Sequence, residues 1–213
     1  MSNPLLAPAS LPQFSKIKPE HVKPAVEHAI TLGRAAIEKA LSENSTYTWQ
    51  NLVMPIDEAD DILGKLWSPV SHMNSVVNSE ALREAYEECL PLLSEYGTWV
   101  GQHKGLYNAY EQIAQSQAFE QLDQAQQKVI SNALRDFQLS GIALTEEDQK
   151  TYGKIVSRLS ELSSKFSNNT LDATQAFSVL ITQESELVGL PQSAQDAAKA
   201  LAESKELTTD GKG

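Results

Sequence analysis

Apolar residues recur at helical spacing through residues 123–182 and predict two consecutive helices there. In the second half of this stretch the steps between apolar residues are 3, 4, 3 and 4, which places one apolar stripe along a helix. That stripe consists of Tyr152, Ile155, Leu159, Leu162 and Phe166. We therefore predict a long helical hairpin with arms at 123–139 and 145–182. Phe166 is expected to be a buried core anchor of the second arm.

The connection between the two arms carries helix-end signals. Gly141 can end the first helix in a left-handed conformation at little steric cost. Thr145, followed three residues later by Asp148, is a typical helix start, and Glu146 lies near the positive end of the helix dipole. The arrangement predicts a scaffold element, with nothing arranged as a reaction centre.

Four further helical segments are predicted from the same periodicity. They lie at 19–41, from Trp49 onward, at 80–115 and at 191–204. Pro69 either kinks the second of these segments or separates two helices, and Pro91 predicts a bend in the third. Only 187–190 could be a short strand, with a loop as the alternative, so the chain is predicted to be all-α, an antiparallel bundle-like lobe of six or seven helices with a long helical hairpin.

The two ends of the chain differ from its middle. Pro4, Pro8 and Pro12 forbid a helix near the N-terminus, and apolar residues lie between them. We predict an extended arm over 1–18 that lies on the domain, a helical lobe over 19–204, and a disordered end over 205–213 that resembles a cut.

Composition narrows the class of protein. The chain has 213 residues and a net charge of −11, which argues against nucleic acid or an anionic membrane as a partner. No apolar run is long enough to span a bilayer and no secretory signal pattern is present, so a cytoplasmic location is expected. The single cysteine, Cys89, is expected to be a buried thiol in a reducing compartment.

The residues that could carry chemistry do not form a recognisable site. No HExxH or Glu-x-x-His sequence is present, and two turns of helix separate His21 from His28. The remaining histidines, His72 and His103, stand alone and are expected at or near the surface. No catalytic or metal-binding residue is therefore predicted, and the sequence does not identify which residues bind a substrate.

Carboxylates and tryptophans have simpler explanations than a site. The acidic groups are expected to line solvated helix faces, and the tryptophans are expected to pack in the core. The acidic groups are Asp57, Glu58, Asp60 and Asp61, and Glu84, Glu87 and Glu88; the tryptophans are Trp49, Trp67 and Trp99.

Five stretches of the sequence nevertheless carry a specific resemblance. They are NPLL at 3–6, LPQFSKIKPEHVKPAV at 11–26, the run from SPVSH to GLYNAY at 68–110, NALRDFQLSGIAL at 132–144 and RLSELSSKFSNNTLDAT at 158–174. In these stretches the chain resembles the N-terminal region of the oligopeptidase A branch of the thimet oligopeptidase (M3) family of zinc metallopeptidases. The likeness covers nearly all of 3–204.

The resemblance implies a function that the residues alone do not show. Family members are much longer, and their two mostly helical lobes flank a deep, narrow channel with zinc at its floor. Their HExxH motif lies in the C-terminal part, so no position of this chain matches it. The resemblance implies a non-catalytic lobe that shapes the channel of a cytoplasmic peptidase for short peptides. The implied partners are the C-terminal catalytic part, those peptides and, for the isolated lobe, a weak homodimer.

Two alternatives stay open at the level of sequence. One is a stand-alone helical interaction module without catalysis, which the cut-like end disfavours. The other is a four-helix metal or cofactor bundle with its own activity. The absence of Glu-x-x-His pairs disfavours the bundle.

Overall fold

The computed structural model describes residues 3–7 and 11–207 of the chain. Within them lie seven α-helices and no strand, so the all-α prediction is confirmed. The helices are α1 Pro19–Glu43, α2 Met54–Val76, α3 Glu80–Gly101, α4 Lys104–Ala114, α5 Gln124–Leu139, α6 Glu146–Ala176 and α7 Gln192–Ser204. Short 3-10 turns lie at Phe14–Lys16, Gln117–Gln121 and Glu184–Leu187, and a π-helical turn, Trp49–Val53, precedes α2.

Local sequence signals explain where several helices begin and end. The side chain of Thr145 accepts a hydrogen bond from the Asp148 amide at 3.2 Å at the start of α6. Gly141 has φ of 83° and follows α5, as predicted. The Ile142 amide then donates to the Phe137 carbonyl at 3.1 Å, which is the hydrogen bond that closes the wider loop of a Schellman motif. These signals are local, so they can be identified without knowledge of the fold.

The predicted segment at 80–115 is two helices. α3 ends at Gly101, and α4 starts after His103, whose Nδ1 accepts the Leu106 amide at 3.1 Å. Histidine is not a usual cap, so its type alone did not indicate a helix start. By contrast, α2 continues through Pro69 without a break, and that proline is buried.

The second arm of the predicted hairpin is shorter than expected. α6 ends at Ala176, and residues 187–190 form no strand: a 3-10 turn ends at Leu187, and a turn follows it. The helical segment near the C-terminus is present as α7.

The buried side chains form two clusters, and α1 contributes to both. The first cluster contains Ile37, Ala40, Leu52, Val53, Ile56, Leu106, Ala109, Tyr110, Ile113, Ile130, Phe137 and Ile142. The second contains Val22, Ala25, Val26, Ala29, Leu66, Val70, Leu82 and Cys89. The N-terminal half of α1 thus packs in one cluster and its C-terminal half in the other. This shared helix joins the two halves of the core.

A glycine lies on α1 between its contributions to the two clusters. Gly33 is buried, and a Cβ there would lie 2.9 Å from Cζ of Tyr96 and overlap its hydroxyl oxygen. That hydroxyl donates to Oδ1 of Asp60 at 3.3 Å. Burial, followed by the charge of Asp60, raises the pKa of Tyr96 to about 12, so the phenol keeps its proton at neutral pH. The absent side chain of Gly33 therefore allows α3 to lie close to α1.

The chain divides into two compact units, Met1–Ser164 and Lys165–Gly213. The two core clusters lie in the first unit, and neither α6 nor α7 contributes a buried residue. In the second unit Phe166 is 74% exposed, so the prediction of a buried core anchor there is wrong. Helical periodicity identifies an apolar face, but it does not establish what covers that face.

The described part of the N-terminal arm, which belongs to the first unit, packs on the helices of that unit. Leu5 packs against the second cluster, and Nδ2 of Asn3 donates to the His21 carbonyl at 2.8 Å. Residues 1–2 and 8–10 of the predicted arm lie outside the described residues, as do 208–213 of the predicted cut end.

Candidate functional site

The first half of α6 presents an apolar stripe to solvent. Ile155, Leu159 and Leu162 are 55%, 58% and 43% exposed. We call these three residues the α6 stripe. Their spacing of four and three residues places all three on one side of the helix, whereas unrelated apolar residues would be scattered around it. Contiguous exposed apolar surface of this kind marks interaction sites more often than single exposed residues do.

A cleft of about 730 Å³ lies between α1, α3 and the first half of α6. It is lined by Arg34, Pro91, Ser94, Glu95, Thr98, Trp99, Gly153, Lys154, Ser157, Arg158 and Glu161. All of these residues belong to the first unit. Charged groups of both signs, hydroxyl groups and one indole ring therefore face the same space.

Arg34 lies against two aromatic rings at this cleft. Its guanidinium carbon is 4.3 Å from the centre of the Trp99 ring and 5.9 Å from the centre of the Tyr96 ring. The rings of Trp99 and His103 form a T-shaped pair, with their centres 5.0 Å apart. An arginine over an indole face gains a cation–π attraction and is held in place by it. The stack therefore restricts the position of the guanidinium.

Sequence reasoning did not identify this stack. Trp99 is predicted to be a core residue, and it does pack against the first cluster while staying partly accessible. Arg34 lies on α1 and Trp99 on α3, so no local pattern connects them. The signal that could have identified the pair is an arginine on the polar side of a helix that otherwise supplies core residues.

The other residues considered from the sequence lie in the core, at helix starts or on the surface. Cys89 is fully buried, as predicted, and burial raises its pKa to about 11. His21 and His103 accept backbone amide hydrogen bonds at helix starts, while His28 and His72 are exposed. The acidic residues of both clusters, at 57–61 and 84–88, are exposed, as predicted.

Trp49 and Trp67 pack partly buried against the first and second clusters, in agreement with the core prediction. Among residues 3–7 and 11–207, no group of three histidine, cysteine, aspartate or glutamate side chains is placed so that it could hold a metal ion. No helix in the same residues is long and apolar enough to cross a membrane.

Comparison with known proteins adds a family to this description. The family model for the "Neurolysin/Thimet oligopeptidase, N-terminal domain" matches residues 29–149, which is more than half of the chain. The match includes both residues of the Arg34–Trp99 stack and stops just after α6 begins.

Curated relatives match over almost the whole chain. Oligopeptidase A of Salmonella typhimurium is 58% identical over 97% of the chain, and oligopeptidase A of Haemophilus influenzae is 59% identical over 97%. A probable cytosolic oligopeptidase A of Arabidopsis thaliana is 35% identical over 91%. The chain spans about 30% of the length of the two bacterial relatives and about 27% of the plant relative.

Proposed function

Because this chain belongs to the neurolysin/thimet oligopeptidase family, we propose that residues 19–204 act as the N-terminal, non-catalytic lobe of a zinc-dependent oligopeptidase of the oligopeptidase A type. The observation that carries the proposal is the 58% identity over 97% of the chain to a relative of which the chain spans only 30%. In this function the lobe forms part of the wall of the substrate channel. Short peptides are the substrates, and the cytoplasm is the location.

The residues described here do not fit a zinc site of their own. Structural and catalytic zinc sites need at least three converging nitrogen, sulfur or carboxylate ligands. In 3–7 and 11–207 no such set occurs. Cys89, a good ligand in principle, is buried among apolar residues of the second cluster. We therefore assign the metal and the chemistry to the part of the family polypeptide that lies outside this chain.

The α6 stripe supports the assignment to a lobe of a larger protein. Interfaces between parts of one polypeptide bury roughly 600–1,500 Å². An apolar helix face such as Ile155, Leu159 and Leu162 loses contact with water when another element covers it, which stabilises the association. We propose that the remaining part of the oligopeptidase covers this stripe. The exposed stripe also accounts for the weak homodimer expected of the chain alone, which the charge of −11 limits.

Peptide cleavage tests the proposed function. The chain alone is expected to leave a fluorogenic oligopeptide uncleaved, because it has no zinc ligand set in its described residues. Co-expression with the remaining part of the Salmonella typhimurium oligopeptidase A is expected to give cleavage that a chelator removes. The control is that remaining part expressed without this chain.

Two results of this assay count against the proposal. One is chelator-sensitive cleavage by the purified chain alone, with stoichiometric metal. The other is full activity of the remaining part without this chain.

A stand-alone interaction module is the second candidate, and the same exposed stripe favours it. Such a module would also present an apolar helix face to a partner. It differs from a lobe in one observable property, because it would not bind the remaining part of the oligopeptidase.

A further inference from the structure

We propose that the cleft between α1, α3 and the first half of α6 binds the terminal carboxylate of a short peptide, with Arg34 as the carboxylate-binding residue. The assignment of the ligand as a peptide rests on the proposed function. The assignment of a carboxylate rests on the geometry of the cleft.

Arg34 has unused hydrogen-bonding capacity. Its guanidinium carbon lies over the Trp99 ring, 4.3 Å from the ring centre. None of the ion pairs found among the described residues includes Arg34, although the chain has 28 acidic and 17 basic residues. Stacking uses the face of a guanidinium and leaves the N–H groups at its edge free. Those groups match the two oxygens of a carboxylate and bind them in parallel.

The position of Arg34 favours a strong interaction. Arg34 and Trp99 are both partly buried, and both line the cleft. A charge pair at such a place is screened less by water than a pair on the open surface. The ring fixes the guanidinium in advance, so less side-chain freedom is lost when a ligand binds.

The other charges of the cleft select among anions. Lys154 adds a second positive charge, while Arg158 is already paired with Glu161. Glu95 and Glu161 contribute negative charge to the same walls. Three cationic and two anionic side chains therefore line the cleft, so a carboxylate balances the net positive charge of the lining, whereas a phosphate dianion would leave it net negative. A free amino group on the same ligand would be attracted to the two anionic side chains.

The remaining lining suits a peptide chain. Hydroxyl groups of Ser94, Thr98 and Ser157 can exchange hydrogen bonds with peptide N–H and C=O groups. Pro91 and Trp99 supply apolar surface. A volume of about 730 Å³ falls within the roughly 300–1,000 Å³ of small-ligand sites, which is enough for a short peptide but not for a folded protein.

Calorimetric titration of the chain with two tetrapeptides tests the proposal. Both are N-acetyl-tetraalanine, one with a free C-terminal carboxylate and one amidated. We expect the acid to bind at least about tenfold more tightly than the amide, as a charge-assisted pair predicts. Arg34→Gln is expected to remove that preference, and Arg34→Lys to retain only part of it because an ammonium lacks the planar fork.

A matched control and a second variant keep the test decisive. Arg135→Gln removes an arginine that is exposed and paired with Asp136 at 2.8 Å, so it should leave the preference unchanged. Should Arg34→Gln unfold the chain, Lys154→Gln removes the second positive charge of the cleft from an exposed position. It is expected to weaken binding of the acid several-fold without changing binding of the amide.

Several results would overturn the carboxylate site. Two of them concern the wild-type chain: equal binding of the acid and the amide, or no binding of either. A third is an unchanged preference for the acid in a folded Arg34→Gln variant. A fourth is displacement of the acid by inorganic phosphate at a lower concentration than by acetate. A further such result is that Arg34→Gln weakens binding of the remaining part of the oligopeptidase while peptide binding stays unchanged. None of them bears on the proposed function, which the cleavage experiment decides separately.

Discussion

Replacing Leu106 by alanine is expected to lower the free energy of unfolding of this chain by about 2–5 kcal/mol. Leu106 is only 2% exposed and lies in the first cluster, among residues from α1, α4 and α5. The loss combines the transfer free energy of the removed methyl and methylene groups with the cavity that remains. Urea unfolding followed by circular dichroism measures it, provided that the m-value stays constant.

The same substitution at Leu159 is the matched control. Leu159 lies on α6 and is 58% exposed, so Leu159→Ala is expected to change the free energy of unfolding by about 0.5 kcal/mol or less. Both changes remove the same atoms from a helix, so the difference between them reports burial alone. A loss at Leu159 as large as at Leu106 would show that the α6 stripe is covered within this chain, in contradiction to the role proposed for it.

Gly33→Ala is expected to destabilise the chain by about 1–3 kcal/mol, the range for overpacking a close contact. Alanine is favoured over glycine inside a helix by about 1 kcal/mol, so propensity alone predicts the opposite sign. The new Cβ would overlap the hydroxyl of Tyr96 and lie 2.9 Å from its Cζ. To make room, Tyr96 must move and weaken its hydrogen bond to Asp60.

Gly64→Ala is the control for helix propensity. Gly64 lies inside α2, and a Cβ there would meet no atom within 4 Å. This change is therefore expected to stabilise the chain, by up to about 1 kcal/mol. Thermal or urea unfolding of the two variants should give shifts of opposite sign.

A double variant shows whether Tyr96 is the cause. Adding Tyr96→Phe removes the hydroxyl that the new Cβ would overlap, so it should recover part of the stability lost in Gly33→Ala. Stabilisation by Gly33→Ala comparable with that of Gly64→Ala would contradict the close contact between α1 and α3.

Local features of the fold could be predicted from the sequence because their causes are local. The left-handed Gly141 and the cap at Thr145 each depend on a few neighbouring residues. The periodicity located α5 and the start of α6 correctly, and the all-α class followed from it. The break between α3 and α4 was missed, because its cap, His103, is not a typical capping residue.

Features that depend on distant parts of the chain could not be predicted in this way. The sequence located the apolar face of α6, but burial of that face depends on which element packs against it. The Arg34–Trp99 stack joins α1 and α3, and its geometry exists only once both helices pack together. The family resemblance indicated a lobe of a peptidase, but it named no residue in this chain that could bind a ligand.

Association with the rest of the oligopeptidase tests the central claim most directly. The chain is co-expressed with the remaining part of the Salmonella typhimurium relative, and the purified material is examined by sedimentation velocity. We predict one complex with a single copy of each part. Leu159→Asp should dissociate it, because a charge on the α6 stripe cannot be covered without losing its hydration.

Lys150→Asp is the control in this measurement, since it places an aspartate at an exposed position on the opposite face of the same helix. We predict that the complex survives Lys150→Asp and is lost with Leu159→Asp. Two parts that sediment separately as wild-type proteins, or a complex that Leu159→Asp leaves intact, would contradict the account of this chain as a lobe that the α6 stripe joins to the rest of the enzyme.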